Sequence, residues 1–203
     1  MIKWIFFDFK ALENISFHLK SGQTLGITGL VGSGKSSILN LLTRQYDASE
    51  GEILIDNKNI KYHNLQLLRK NCGIVPQEVF LFSDTIYNNI AFGGQEKLVI
   101  QSEVELAAKQ AGVYDNIVSF PEQFETIVGE RGVTLSGGQK QRISIARAII
   151  NKPKLLIFDD CLSAVDSETE ALIVSNLKNE MKDKSSIIVS HRISSLKHAD
   201  VII

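Results

Sequence analysis

The sequence is poor in cysteine, proline and tryptophan, and it has no excess of charge of either sign. It has only two cysteines, three prolines and one tryptophan in 203 residues. Two cysteines, Cys72 and Cys161, are too few for a disulfide framework and suit a reducing compartment. We expect both to be small buried hydrophobic residues. With 22 basic and 23 acidic residues, the chain has no charge excess that would attract nucleic acid or an anionic membrane surface.

Long hydrophobic runs, internal repeats and low-complexity tracts are also lacking. Residues 1–9 are apolar, but Lys3 and Asp8 interrupt them, and the stretch is too short for a membrane span or a secretory signal. Any membrane role would therefore come through a partner or through a segment outside this chain. The length and a 44% hydrophobic content predict one domain with a substantial core and an inserted subdomain.

A glycine-rich motif, GLVGSGKSS, occupies residues 29–37, between a predicted strand at 24–28 and a predicted helix from residue 38. Glycines permit positive φ angles, so such a loop turns its backbone N–H groups toward an anion at a helix N-terminus. Lys35 is expected to reach the β- and γ-phosphates and Ser36 to ligate Mg²⁺. The candidate nucleotide-binding residues are Gly29, Gly32, Ser33, Gly34, Lys35, Ser36 and Ser37. The motif predicts a nucleoside triphosphate and no particular reaction.

A second signal is a carboxylate at the end of a buried strand. Residues 155–158 form a continuous apolar run, which is typical of a central parallel strand, and Asp159 follows directly. Ligands of open α/β sheets collect at this end of the strands. We therefore expect Asp159 to hold Mg²⁺ opposite Ser36, the alternative being a helix-capping or turn residue.

A third signal is a second predicted anion site. Its residues are Leu135, Ser136, Gly137, Gly138 and Gln139. They introduce a helix predicted over 137–151, which is apolar on several sides and therefore largely buried. A hydroxyl and free N–H groups at a helix start bind anions. A helix cap alone would explain the serine and the glycines, but not the whole pentapeptide.

The remaining pattern predicts an α/β fold with a parallel sheet. Strands are predicted at 14–19, 51–56, 72–75, 186–189 and 201–203. The first two are expected to form a small antiparallel sheet, with a turn at 57–59. Helices are predicted at 85–92, 102–112 and 114–120, and an amphipathic helix at 167–182. Because the last strand begins where the chain stops, we expect a truncated C-terminus.

In this order, the motifs resemble the nucleotide-binding domain of an ATP-binding cassette (ABC) transporter. The match includes PQ at 76–77, LLIFDD at 155–160, SAVD at 163–166 and SH at 190–191. SDTIYNNI at 83–90 and TIVGERG at 126–132, the latter with Glu130 and Arg131, are similar to the exporter branch.

The resemblance implies a single domain over 1–203 with a P-loop NTPase (RecA-like) fold. Its parallel sheet core and small antiparallel β subdomain would comprise 1–77 and 133–203. A helical insert would occupy about 78–132 and include the start of the signature helix. The membrane domain would lie outside the chain.

The resemblance also implies ATP and Mg²⁺ as ligands and a second nucleotide-binding domain as a partner, paired head to tail. Each glycine-rich loop would then face the other domain's LSGGQ signature across ATP. Gln77 would contact Mg²⁺ and the attacking water, Asp166 would communicate across the dimer, and His191 would contact the γ-phosphate. The other histidines are expected to be surface or core residues: His18, His63 and His198.

Two positions depart from the family pattern. Asp160 stands where most members have the glutamate that polarises the attacking water, and its shorter side chain predicts a slow or degenerate site. A heterodimer whose partner carries the glutamate, and an ordinary homodimer, both remain open. Family members usually stack an aromatic residue on adenine from a segment before the glycine-rich loop. Here Phe7 or Phe9 would take that role, and packing in the core is the alternative for both.

The expected function is therefore ATP binding and hydrolysis in an exporter, at the cytoplasmic face of the cell membrane. One alternative is a regulatory domain that binds ATP without hydrolysing it. Another is a soluble ABC ATPase of DNA repair or translation, but the basic surfaces or long insertions of that class are missing.

Overall fold

The computed structural model describes residues 10–94, 98–129, 133–161, 173, 175 and 184–203. Within them, the strands are β1 Thr24–Ile27, β2 Leu54–Ile55, β3 Lys58–Asn59, β4 Cys72–Val75, β5 Leu155–Asp159, β6 Ser185–Val189 and β7 Val201–Ile202. The α-helices are α1 Lys35–Leu42, α2 Leu65–Lys70, α3 Ile86–Ala91, α4 Gln101–Gln110, α5 Tyr114–Val118 and α6 Gly137–Ile149. Short 3₁₀ helices cover Ile60–Tyr62, Phe92–Gly94, Gln123–Glu125 and Ile193–Leu196.

The main sheet is parallel, with the strand order β4-β5-β6-β1-β7. Ile187 of β6 pairs with Leu25 of β1 on one side and with Ile157 of β5 on the other. Neighbours in this sheet are therefore far apart in the sequence, as crossover connections require. The predicted parallel α/β core is confirmed.

The core lies on both faces of this sheet. Leu156 and Phe158 of β5 belong to one buried cluster, whereas Ile157 between them belongs to the other. The first cluster also contains Ile143 and Ile145 of α6. The second contains Ile38 and Leu39 of α1. Successive side chains of a strand point to opposite faces, so a strand covered by a helix on each side must be apolar at every position.

Helix α6 is the most buried of the described helices, as its sequence predicts. Its buried side chains are Gln141, Ile143, Ser144, Ile145, Ala146, Ala148 and Ile149. It packs on α3, α4 and β4. The helix ends before Lys152, which has a positive φ of 48°, and Pro153, which cannot continue the hydrogen-bond ladder.

The predicted first strand is wrong. Residues 15–19 form no strand with any other described segment. Phe17 and Leu19 pack on the α1 side of the core, while Ile15 is 53% exposed. Buried side chains alone hold this segment against the core. Without backbone hydrogen bonds to a neighbouring strand, it does not become part of a sheet. The antiparallel sheet instead consists of β2 and β3, with Leu54 opposite Asn59. Part of the predicted turn at 57–59 therefore forms a strand.

Helices α3, α4 and α5 confirm the helices predicted between β4 and α6, with bounds that differ by a few residues. The segment also forms an isolated bridge between Thr85 and Ile127. Most of the predicted helix at 167–182 lies outside the described residues. The division into a core and an insert stays a prediction. Among the helices of the described part, none is long and apolar enough to cross a membrane.

Candidate functional site

The candidate residues meet at one edge of the parallel sheet. Gln77 follows β4, Asp159 ends β5, His191 follows β6, and Gly29 follows β1. The order β4-β5-β6-β1 makes these strands neighbours, and parallel strands end at the same edge. Residues up to 162 positions apart in the chain, Gly29 and His191, are thus brought to a single edge of the sheet.

The glycine-rich loop leads directly into α1. Gly34 is the N-cap residue, with a left-handed φ of 90° and no side-chain hydrogen bond to the first turn. The Lys35 ammonium group donates to the backbone oxygens of Gly29 at 2.9 Å and Leu30 at 2.8 Å. Because no side chain caps the first turn of α1, its N–H groups remain available to an anion.

Three glycines of the loop have positive φ angles that other residues rarely adopt, and two of them also lack space for a Cβ atom. At Gly34, a Cβ atom would lie 2.6 Å from the backbone oxygen of Ala11. At Gly29, where φ is 153°, it would lie 2.8 Å from the Ser33 hydroxyl oxygen. Gly32 has space around it but a φ of 83°. A positive φ and close backbone contact both exclude larger residues.

The three candidate serines differ in exposure. Ser33 in the loop and Ser36 in the first turn of α1 are exposed, and Ser37 is half-buried. A hydroxyl at the exposed start of α1 is accessible to a ligand bound by the loop. The chemistry of Ser36, a hard oxygen donor, suits Mg²⁺.

Electrostatics distinguish Asp159 from ordinary surface carboxylates. Burial raises the pKa of its carboxyl group, the adjacent Asp160 carboxylate raises it further, and the positive charge of Lys35 lowers it. Desolvation and like-charge repulsion both disfavour the ionised form. A bound cation would relieve both penalties, which is the electrostatic condition of a metal ligand.

Asp160 has an unusual backbone that the sequence did not reveal. Its φ is 44°, and its N–H donates to the Val189 oxygen of β6 at 2.9 Å. Aspartate and asparagine enter the left-handed region more readily than other non-glycine residues. The short aspartate side chain therefore suits this left-handed backbone. In the sequence, the only sign of this conformation is an aspartate that precedes a turn.

Gln77 and His191 both lie exposed on loops at the sheet edge. The loop before His191 is fixed, because the Ser190 N–H donates to the Ile27 oxygen at 3.1 Å and its hydroxyl accepts from the Arg192 N–H at 3.0 Å. His191 is thereby held beside β1, the strand that precedes the glycine-rich loop. Their roles toward a nucleotide stay predictions.

The signature forms the capped start of α6. The Ser136 hydroxyl accepts from the Gln139 N–H at 3.2 Å, and the Gln139 side chain accepts from the Ser136 N–H at 2.9 Å. This reciprocal pair is a capping box, which the S-x-x-Q spacing signals. Leu135 is buried and anchors the segment, while Gly137 is exposed and Gly138 half-buried. The N–H groups of these glycines are left for an external acceptor.

Other predicted residues fall outside the described part of the chain or have structural roles. Phe7, Phe9, Asp166, Glu130 and Arg131 lie outside it. His18 and His198 are exposed, and the His63 ring lies 3.3 Å from the oxygens of Ile55 and Lys58.

Neither cysteine is part of a disulfide, and the predicted burial is complete for Cys161 only. Cys161 is buried and Cys72 half-buried. Burial raises the pKa of the Cys72 thiol to about 11. The Cys72 thiol therefore stays protonated at neutral pH, and burial shields Cys161 from solvent.

Comparison with known proteins places these features in a family. The model of the ABC transporter family matches residues 12–163. The chain is 46% identical over 196 residues to the ATP-dependent lipid A-core flippase of Haemophilus influenzae, covering 97% of this chain and 33% of that protein. It is 48% identical over 196 residues to the multidrug resistance-like ATP-binding protein MdlA of Escherichia coli, with the same coverage.

A solved structure agrees with these sequences. The structure of a bacterial Atm1-family ABC exporter with ATP bound superimposes with a TM-score of 0.91 at 42% identity, over 97% of this chain and 34% of that one. The chain thus spans about a third of the length of the curated relatives it matches. It belongs to the ABC transporter family and is similar in sequence and fold to the matching third of ABC exporters.

Proposed function

We propose that this domain binds ATP with Mg²⁺ and hydrolyses it to drive export by an ABC transporter. The observation that carries the proposal is the convergence of Gln77, Asp159, His191 and the glycine-rich loop at one edge of the sheet. The similarity to an ATP-bound exporter structure and to exporter sequences supports it.

The residues at this edge fit Mg²⁺. The Ser36 hydroxyl, the Asp159 carboxylate and the Gln77 amide offer hard oxygen ligands. Within the described residues, no group of three or more His, Cys, Asp or Glu side chains is placed to hold a metal alone. Mg²⁺ typically takes one or two carboxylates and completes its shell with substrate phosphates and water. When bound, it would neutralise charge on the phosphate oxygens.

Each nearby side chain has a distinct task in the proposed reaction. Lys35 exchanges its bonds to the Gly29 and Leu30 oxygens for bonds to the β- and γ-phosphates. His191 donates a hydrogen bond to the γ-phosphate, and Asp160 accepts one from the attacking water. Phosphoryl transfer requires mainly positioning and charge stabilisation, which these groups supply.

A second domain completes the site in this proposal. Helix α1 packs on one face of the sheet and α6 on the other, so the two anion sites belong to different helices of one chain. Two copies, or two related domains, pair head to tail so that the signature of each contacts ATP on the other. Binding of ATP closes the pair and hydrolysis releases it. A membrane domain outside this chain converts the movement into export, which places the domain at the cytoplasmic face of the membrane.

Asp160 makes this site slow in our proposal. Aspartate retracts the carboxylate by about 1 Å relative to glutamate, and a displacement of that size can lower a rate by roughly 10²-fold. A second candidate function follows from the same residue: the domain binds ATP without hydrolysing it, as the regulatory half of a heterodimer. Phosphate release in a single turnover that is lost in Lys35→Ala would contradict this second function.

The test of the slow-site proposal is the Asp160→Glu variant in the full transporter assembly. We expect phosphate release at this site to increase by at least tenfold, toward the roughly 10²-fold limit set by positioning. Asp160→Asn, which keeps the side-chain size and removes the charge, is the matched control and should be slower than the parent. No acceleration in Asp160→Glu would show that the shortened side chain does not limit turnover.

A further inference from the structure

The loop that carries Gln77 begins on a strand fixed tightly to α6. Gly73 of β4 is so close to this helix that a Cβ atom would lie 2.5 Å from the Ala148 backbone oxygen and 2.7 Å from Pro153. Only glycine permits that approach. The start of the Gln77 loop is therefore positioned by the last turn of α6.

The other end of the loop is fastened to the same turn by Arg147. Its guanidinium group donates to the Phe80 oxygen at 2.9 Å, to the Asn89 backbone oxygen at 2.7 Å and to the Asn89 side-chain oxygen at 2.8 Å. The guanidinium group also lies 5.4 Å from the Phe82 ring centroid. Because its N–H donors point in different directions in one plane, it can donate to several acceptors at once. Gln77 thus lies between two attachments to adjacent residues of one helix.

Asn89 organises the segment that Arg147 holds. It is fully buried, accepts from the Phe82 N–H at 2.9 Å, and donates to the oxygens of Phe82 and Thr85, both at 3.0 Å. These bonds fold residues 82–89 into one unit at the start of α3. Arg147 binds this unit directly.

The cost of burying Arg147 argues that its role is specific. Burial lowers the pKa of the guanidinium group, and its described hydrogen bonds go to uncharged oxygens. A half-buried cation whose described hydrogen bonds all go to uncharged oxygens is a costly way to join two helices. A neutral or apolar side chain would pack there more cheaply.

We infer that Arg147 is a positioning residue for Gln77, acting through the Phe80 oxygen and Asn89. Helix α6 begins at Ser136 of the signature and ends at these attachments. It therefore links the surface offered to a partner's ATP with the loop that senses ATP in the same chain. This inference rests on the proposed function, because it takes Gln77 to act on Mg²⁺ and the attacking water.

The test is a double-mutant cycle on ATP hydrolysis by the full transporter, with Arg147→Lys, Gln77→Ala and the pair. Lysine keeps the charge but cannot form the three-way set of bonds. We expect Arg147→Lys to lower kcat about tenfold while KM for ATP changes less than twofold. In the Gln77→Ala background, the same change should lower kcat less than twofold.

Arg69→Lys is the matched control. Arg69 also binds backbone oxygens, those of Thr43 at 3.2 Å and Arg44 at 3.0 Å, but it does not contact the Gln77 loop. Its kcat should stay within about twofold of the parent, because its bonds lie elsewhere. Hydrogen exchange of the 203-residue chain should show faster exchange at residues 76–82 in Arg147→Lys only.

The outcomes separate the two proposals. If Gln77→Ala leaves kcat unchanged, the proposed role of Gln77 is wrong. If Gln77→Ala lowers kcat but Arg147→Lys has its full effect in that background, or lowers kcat no more than Arg69→Lys, the inference about Arg147 is overturned. Should Arg147→Lys fail to fold, Arg147→Gln, which has no charge to bury, takes its place in every comparison.

Discussion

The glycine-rich loop and the signature both present a helix N-terminus to an anion, but they are built differently. At α1, a left-handed glycine without any side-chain cap begins the helix, and Lys35 lies folded over the loop. At α6, Ser136 and Gln139 close a capping box. The first is a loop that a ligand must fill. The second is a capped helix N-terminus, which can offer only a few hydrogen-bond donors to a ligand that is bound mainly by other residues.

This difference shows why one chain would need two such sites. The loop before α1 has a lysine, free N–H groups and a nearby carboxylate, which suffice to bind a triphosphate. The signature satisfies part of its own hydrogen bonding, and its glycines Gly137 and Gly138 are exposed and half-buried, respectively. It is therefore suited to complete a site on another domain, and the two surfaces should respond differently to substitution.

The largest effect is expected from Lys35→Ala. Loss of charge-assisted bonds to the phosphates should weaken ATP binding to the 203-residue chain by about 10²-fold, since each is worth about 1.5–3 kcal/mol. Ser136→Ala should change the affinity less than twofold, because in the proposed pairing Ser136 contacts ATP that is held by another domain. Calorimetric titration measures both. Equal losses would mean that the two surfaces share one ATP within a single chain.

Glycine substitutions come next. Gly34→Ala forces a strained φ and brings Cβ against the Ala11 oxygen, so it should cost about 1–3 kcal/mol of unfolding free energy. Gly137 has open space for a Cβ, and alanine there should be neutral or stabilising by up to about 1 kcal/mol. Thermal unfolding distinguishes them, at about 2–4 °C per kcal/mol. A Tm unchanged by Gly34→Ala would show that the loop tolerates another shape.

Ser136 separates capping from anion binding. Ser136→Ala removes the cap and should lower stability by about 1 kcal/mol. Ser136→Asp keeps a capping oxygen and should retain the parental Tm. In the full transporter, however, the aspartate charge would repel the phosphate, so both variants should lose ATP hydrolysis. An active Ser136→Asp variant would contradict the contact between the signature and ATP.

The smallest effect is expected from Asp159→Asn. Because the folded state raises the pKa of this carboxyl group, ionisation opposes folding, and stability falls as pH rises through the raised pKa. The asparagine variant should therefore be more stable at neutral pH, by less than about 1 kcal/mol since the group is partly exposed to screening solvent. The gain in Tm should shrink as the pH falls below that pKa, and a gain that is independent of pH would contradict its electrostatic origin.

Much of the fold was predictable because local patterns agree with tertiary packing. The apolar run of β5 and the all-round apolarity of α6 required burial on several sides, and the structure provides it. Residues 15–19 show where this fails. Alternation predicts which side chains are buried, but a strand also requires backbone hydrogen bonds to a neighbour, and within the described part of the chain no backbone pairs with this segment.

The candidate site shows the same limit. Glycine spacing identified the loop, and a terminal aspartate identified β5. An aspartate before a turn was the only sign of the left-handed backbone of Asp160, and nothing in the sequence indicated the bonds from Arg147 to Phe80 and Asn89. These depend on β6 and α3, which are distant in the chain. Contacts between residues that are distant in the chain produce no periodic pattern in the sequence.

The sequence by itself determined which residue types bind phosphate and which segments must be buried, because loop conformation and hydrophobic periodicity are local properties. Only the tertiary structure decided that Gln77, Asp159, His191 and the glycine-rich loop share one edge, through the strand order β4-β5-β6-β1. It also decided that α1 and α6 lie on opposite faces of the sheet. Strand order and helix placement follow from burial of the whole chain, which no single motif encodes.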